Sequence, residues 1–196
     1  MKKCISLFMD VEDPINPLAD DAALEVAKLF TSCGVRGSFC LTGEKCRTLA
    51  ARGRTDVARA LLPHALGLHT DTHSFHPTTM ELLETVSYAE GCELALQSES
   101  KGFDAFRRLF GRPPCFWGGA GNTWSPEITF ALGQLGVRAY AYALTAVPKN
   151  APLKVLPPVL GTRLIRRPPY AISAPSAAES IDSSWAAPVS GTRFCI

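Results

Sequence analysis

Apolar and polar positions alternate along the first three quarters of the chain with two distinct periods. Short apolar runs occur at Ile5–Met9, Val35–Thr42, Leu66–His69, Pro114–Trp117 and Val137–Leu144, each of a length suited to a strand. Between them lie stretches with helical spacing. The first is a stripe of Leu24, Val26, Ala27, Leu29 and Phe30, with Asp20 or Asp21 as its expected N-cap and Gly34 as its stop. Two shorter helices are predicted around Glu44–Ala51 and Thr55–His64. A long one is predicted from Thr78 to about Leu109, broken near Ser98–Gly102, and a last one over Ser125–Leu135, where Ser125-Pro126-Glu127 forms a start signal.

Strands separated by helices pair in parallel through right-handed crossovers, so the pattern predicts an α/β sheet or barrel. In such folds chemistry gathers at the carboxyl ends of the strands. Three polar segments fall at such ends: Asp10–Asp13, His69–His73 and Trp117–Trp124. Beyond Val147 the periodicity dissolves into a segment rich in Pro, Ala, Ser and Arg. The chain therefore divides into a patterned domain over 1–147 and a tail over 148–196, expected to be irregular or poorly ordered.

Composition narrows the function. With 196 residues the chain has the length of one domain with a sizeable core. A formal charge of +2 gives no electrostatic reason to expect nucleic acid or an anionic membrane as partner. The apolar run at the start meets Asp10 too soon for a signal-peptide core. The seven cysteines are odd in number and contain no Cys-x-x-Cys pair, which fits reduced thiols in a cytoplasmic protein.

The densest chemical signal is Leu68-His69-Thr70-Asp71-Thr72-His73-Ser74-Phe75-His76, which holds three of the chain's four histidines. Fully extended, four residues span about 13 Å, too far for both imidazoles to reach one ion. The chain must turn after His69 for His73 to join it. His76 is balanced between a further ligand and a cap for the next helix. The carboxylates Asp10, Glu12 and Asp13 would repel one another unless a cation or proton lies between them. Such a set can supply both a metal ligand and a base. Gly118, Gly119 and Gly121 would let backbone approach a ligand, with Trp117 and Trp124 placed to stack on a ring and Asn122 to hydrogen-bond it.

Together these segments resemble the polysaccharide deacetylase (NodB-homology) family of carbohydrate esterases. The resemblance rests chiefly on His64-Ala65-Leu66-Gly67-Leu68-His69-Thr70-Asp71-Thr72-His73, which matches the family's histidine motif and its lead-in, and covers about residues 4–145. It implies a distorted (β/α)7 barrel, incomplete here at the C-terminus, and a divalent metal, zinc above all, held by His69, His73 and one carboxylate. By the same resemblance Asp10 is the base, while Glu12 and Asp13 are both eligible as third ligand, with Asp13 preferred. The implied activity is hydrolysis of N-acetyl groups on an amino sugar or polysaccharide. A small-molecule amide or imide hydrolase and a catalytically weak metal-binding relative are the alternatives. Two departures stand out. The family's Arg-Pro-Pro-Tyr-like motif is replaced by Phe116-Trp117-Gly118-Gly119, and its final Leu-x-x-His has no counterpart.

Overall fold

A computed structural model describes residues 7–137, 139–140 and 154–155. Its strands are β1 (Phe8–Val11), β2 (Ser38–Leu41), β3 (Ala65–Leu68), β4 (Phe116–Trp117), β5 (Ala139–Tyr140) and β6 (Lys154–Val155). They form one six-stranded sheet in sequential order with every pairing parallel. The helices are α1 (Leu18–Ser32), α2 (Gly43–Ala51), α3 (Thr55–Leu61), α4 (Thr79–Leu83), α5 (Tyr88–Phe110) and α6 (Pro126–Gln134). Sequential parallel order is what repeated strand–helix–strand crossovers of one hand produce.

The register fixes the position of the site. Val11, Leu41, Leu68 and Trp117 lie side by side across β1 to β4. The residues that follow them, Glu12, Thr42, His69 and Gly118, therefore leave the sheet along one edge. Beneath that edge Phe39, Leu41, Leu66, Leu68 and Trp117 are fully enclosed, and the buried faces of α2, α5 and α6 pack against them. On α5 the buried positions Cys92, Ala95, Glu99, Phe103, Phe106 and Phe110 recur every three or four residues, the stripe expected of a helix laid on a core.

Several boundaries differ from those the pattern predicts. Helix α1 starts at Leu18 behind Pro17, so neither Asp20 nor Asp21 is its N-cap; Asp20 sits inside the first turn and is buried. The long helical stretch is interrupted before Tyr88, not at Ser98–Gly102. Thr78 closes a capping box with Glu81 to start α4, and Ser87 caps α5 afresh. Gly102 is no breaker. A Cβ there would stand 3.1 Å from the Asp71 Cα, and one at Gly43 would collide with both Asp71 and Gly102. The two glycines let α2 and α5 close on the histidine loop. Of the tail, Lys154–Val155 adds β6 to the sheet, while the remainder of 148–196 and the expected strand residues 141–144 lie outside the described residues. Among the described residues no helix is long and apolar enough to cross a membrane.

Candidate metal centre

His69 is the first residue after β3, and its backbone N–H continues the sheet ladder by donating to Leu41 O at 2.7 Å. The side chain is 3% exposed and has little freedom. Its Nδ1 lies 2.9 Å from the carbonyl oxygen of Gly118. A carbonyl can only accept, so Nδ1 carries the proton and Nε2 faces the site with its lone pair. This is the arrangement that fixes tautomer and ring orientation in metal-binding histidines.

The turn that returns the chain to the site is built on two non-glycine residues with positive φ, Thr70 at 56° and His73 at 49°. Such backbone is uncommon outside glycine and costs free energy. The costs are met locally. Thr70 Oγ1 accepts from His73 N at 3.0 Å, and Thr70 O and Asp71 O accept from Gly43 N and Glu44 N at the start of α2. The buried Asp71 carboxylate receives the Arg47 guanidinium at 2.7 Å. The outcome is a pair of imidazoles with centroids 4.7 Å apart, as the four-residue spacing requires. His73 Nδ1 pairs with Ser74 Oγ, leaving Nε2 to point inward. Burial, then the neighbouring His69, holds the His73 imidazole below the usual histidine range, which favours its neutral form.

Glu12 completes the cluster. One oxygen, Oε2, lies 3.2 Å from His69 Nε2 and 3.0 Å from His73 Nε2. A lone pair on His69 Nε2 facing a carboxylate oxygen at that distance calls for a cation or proton between them. Two imidazole nitrogens and a carboxylate converging on one point are the donor set of a catalytic zinc site with an open position. The residues present fit a divalent transition metal. Asp10 stands beside the cluster, with Oδ1 4.0 Å from His69 Nε2.

Asp13 is placed differently. Its Oδ1 accepts from the backbone N–H of Ile15 and Asn16 at 2.8 and 3.1 Å, closing an Asx turn, and these bonds hold its pKa below the usual carboxylate value. The structure thus brings Glu12 to the histidines and turns Asp13 away, against the preference drawn from the sequence.

The Trp117–Trp124 segment contributes in another manner than expected. Trp117 is fully buried, with its indole N–H donating to Glu99 Oε2 at 2.7 Å, so its ring belongs to the core and offers no face for stacking. Trp124 is partly buried, packs against the core and donates to Thr129 Oγ1 at 2.7 Å. Gly118 supplies the carbonyl that orients His69. At Gly119 a Cβ would meet Thr123 O at 2.1 Å, so a tight turn there excludes any larger residue. The side chain of Asn122 lies outside the described residues. Of the other histidines, His64 is buried against Ala27 O, Thr31 and Gly37 N, and His76 pairs with Glu81.

Three features of the surroundings escape a sequence reading. Cys40, paired in register with Asp10 on one side and Gly67 on the other, lies with Asp10 and His69 in a second possible donor group. Burial, then the Asp10 charge, pushes its thiol well above the usual range. Glu99, fully enclosed under Trp117, is pushed up to about 8, first by burial. Lys45 and Asp20 form an ion pair at 2.5 Å with no exposure on either side chain. Each is the one charged residue among the buried positions of its helix.

No protein-family model and no curated protein matches this sequence. Solved structures do. A mutant CE4 family pseudoenzyme with restored enzymatic activity superposes with a TM-score of 0.50, at 11% identity, over 70% of this chain and 45% of that one. The chain has the CE4 fold. Its parallel sheet, which no described strand closes, corresponds to part of the NodB-type (β/α)7 barrel. The wild-type pseudoenzyme from Bacillus anthracis matches with a TM-score of 0.47 at 9% identity, over 69% of this chain and 43% of that one. A family 4 carbohydrate esterase from Streptomyces lividans in complex with acetate matches with 0.48 at 14%, over 70% and 60%. The chain spans less than half the length of the two pseudoenzyme structures.

Proposed function

We propose that this chain is a metal-dependent hydrolase of amide bonds, acting on N-acetyl groups of an amino sugar or polysaccharide. The observation that carries the reading is the convergence of Glu12 Oε2 on the Nε2 atoms of His69 and His73, with the Asp10 carboxylate alongside. The shared fold and the histidine motif from His64 to His73 support the substrate class.

Glu12, His69 and His73 would hold the ion, with zinc the best match to two imidazoles and one carboxylate. When bound, such an ion supplies Lewis-acid polarisation of the acyl oxygen and acidifies water. The chain's own residues do the rest. Asp10, half-exposed at the site, accepts the proton of the attacking water. The Gly118 carbonyl keeps His69 in one tautomer, and the buried Trp117 and Leu68 beneath it keep water out from below.

Protonation of the departing amine falls to no histidine outside the cluster. All four histidines are placed: two in the cluster, His64 in the core and His76 on Glu81. Hydrolysis in which no general acid takes part typically runs about 10²–10⁴-fold slower. This accounting favours a second reading, in which the chain binds metal and hydrolyses amides slowly. The test is deacetylation of chitooligosaccharides by Zn2+- or Co2+-loaded protein, alongside its Asp10→Asn variant. Turnover that Asp10→Asn removes without loss of metal supports hydrolysis. Metal binding without turnover supports the weaker relative, and failure to bind metal overturns both.

A further inference from the structure

Three consecutive backbone carbonyls follow Glu12, and two cationic side chains capture all three. Lys45 Nζ donates to Asp13 O at 2.5 Å. Arg52 Nη2 donates to Pro14 O and Ile15 O, both at 2.9 Å. Lys45 and Arg52 stand seven residues apart on α2 and its C-terminal cap, two helical turns along one face. Both pivot on one anion. Asp20 Oδ1 takes Lys45, and Asp20 Oδ2 takes Arg52 Nη1 at 2.9 Å. Asp20 is in the first turn of α1, where the helix N-terminus adds to its stabilisation as an anion. Burial raises its pKa, and the two cations more than reverse this.

A lysine and an aspartate with no solvent exposure are costly to bury, and an apolar pair of similar volume would stabilise a core as well or better. Stability alone is a poor explanation for them. What an apolar pair could not do is hold the Asp13 carbonyl. Glu12 is next in the chain and reaches the histidines from a loop; its own side chain is half-exposed. Fixing the three peptides after it limits where its carboxylate can go.

We infer that Asp20, Lys45 and Arg52 are positioning residues that clamp the loop after β1, so that Glu12 meets His69 and His73, and that they thereby set the affinity of the metal site. The inference rests on the metal-site reading above. Residues outside the first coordination shell that orient ligands typically carry about 10–100-fold in metal affinity.

The test compares Zn2+ affinity, by competition with a chromophoric chelator, and thermal stability across four forms of the full chain. These are wild type, Lys45→Met, the double variant Asp20→Leu/Lys45→Met, and Arg52→Met. Lys45→Met leaves the Asp20 charge buried and is expected to lose both stability and affinity. The double variant removes both charges. It is expected to regain stability while Zn2+ binding stays about 10–100-fold weaker than wild type, because nothing holds Asp13 O. Arg52→Met, whose side chain is partly exposed, is expected to fold and to lose affinity to a smaller degree. The d–d spectrum of the Co2+ form should shift in both, reporting altered ligand geometry. Wild-type affinity in the double variant and in Arg52→Met would overturn the clamp and leave the metal site standing. Absence of Zn2+ binding by wild type itself would overturn the site, and the clamp's role in it too.

Discussion

The two arms of the proposed metal centre are fixed by different means. The histidine arm is held from within. His69 is nearly enclosed, continues the sheet ladder and has its Nδ1 tied to Gly118 O, while positive φ at Thr70 and His73 folds the next four residues back onto it. The carboxylate arm is held from behind. Glu12 is half-exposed, and its loop is fixed by side chains of another helix, at the carbonyls of Asp13, Pro14 and Ile15. The first arm is five consecutive residues held mainly through backbone groups of β2, the start of α2 and the residue after β4, with Arg47 on the Asp71 carboxylate. The second depends on an ion pair between residues 25 apart in the chain. Damage to the two arms should therefore differ in kind.

The largest effect is expected in the histidine arm. His69→Ala removes a ligand, opens space at the sheet edge and orphans the Gly118 carbonyl; stoichiometric Zn2+ binding should fall below detection in elemental analysis of the dialysed protein. His73→Ala should do the same with less loss of stability, because that side chain is more exposed. If His73→Ala kept its metal, the two imidazoles would not act together.

The next effect separates the neighbours in the carboxylate arm. Glu12→Gln should weaken Zn2+ binding sharply with little change in melting temperature. Asp13→Asn keeps an acceptor for Ile15 N and Asn16 N and should leave both nearly unchanged. The reverse order in a metal-competition assay would move the ligand role to Asp13.

A third comparison probes the support beneath the histidine arm through pH. Glu99 has a folded pKa raised from 4.5 to about 8. An acid whose pKa is raised by folding keeps its proton in the folded chain when the unfolded chain has lost it. Its contribution is fully present below pH 4.5 and is lost as pH rises toward 8. Over that window wild-type stability should carry a downward slope of up to about 1.4 kcal/mol per pH unit from this group. Glu99→Gln, which can still accept from Trp117 Nε1–H, should flatten the slope and stabilise the chain at the alkaline end. Urea unfolding at a series of pH values measures it; an unchanged slope would mean that Glu99 is ionised in place.

The smallest effect is expected farthest from the ion. Trp124→Phe loses one hydrogen bond to Thr129 and should cost about 1 kcal/mol in urea unfolding, with metal affinity unchanged. A large change in affinity would return Trp124 to the site.

How much of this was legible in the sequence follows the same division. The parallel α/β sheet, the placement of chemistry at strand ends and the return of His73 toward His69 all follow from local spacing, and each is found in the structure. The choice between Glu12 and Asp13 was not legible. It is decided by an Asx turn and by Lys45, which approaches Asp13 from 32 residues away. The expected break at Ser98–Gly102 failed for a related reason. The helix runs unbroken through that stretch, and Gly102 serves the close approach of Asp71 from another loop. Asp20 or Asp21 is expected as an N-cap because short acidic residues favour helix starts; the place of Asp20 three residues past the cap position, facing Lys45 and Arg52, is a tertiary fact. Their loop position makes the tryptophans candidate stacking surfaces, whereas the register of β4 directs Trp117 into the core.

The proposed ligands Glu12, His69 and His73 stand or fall together as one metal-binding site. Titration of the metal-stripped full chain with Zn2+, followed by isothermal calorimetry, decides the matter. One ion per chain should bind to wild type and to Asp13→Asn, and none tightly to Glu12→Gln or His73→Ala. No stoichiometric binding by wild type, or equal binding by His73→Ala, would contradict it.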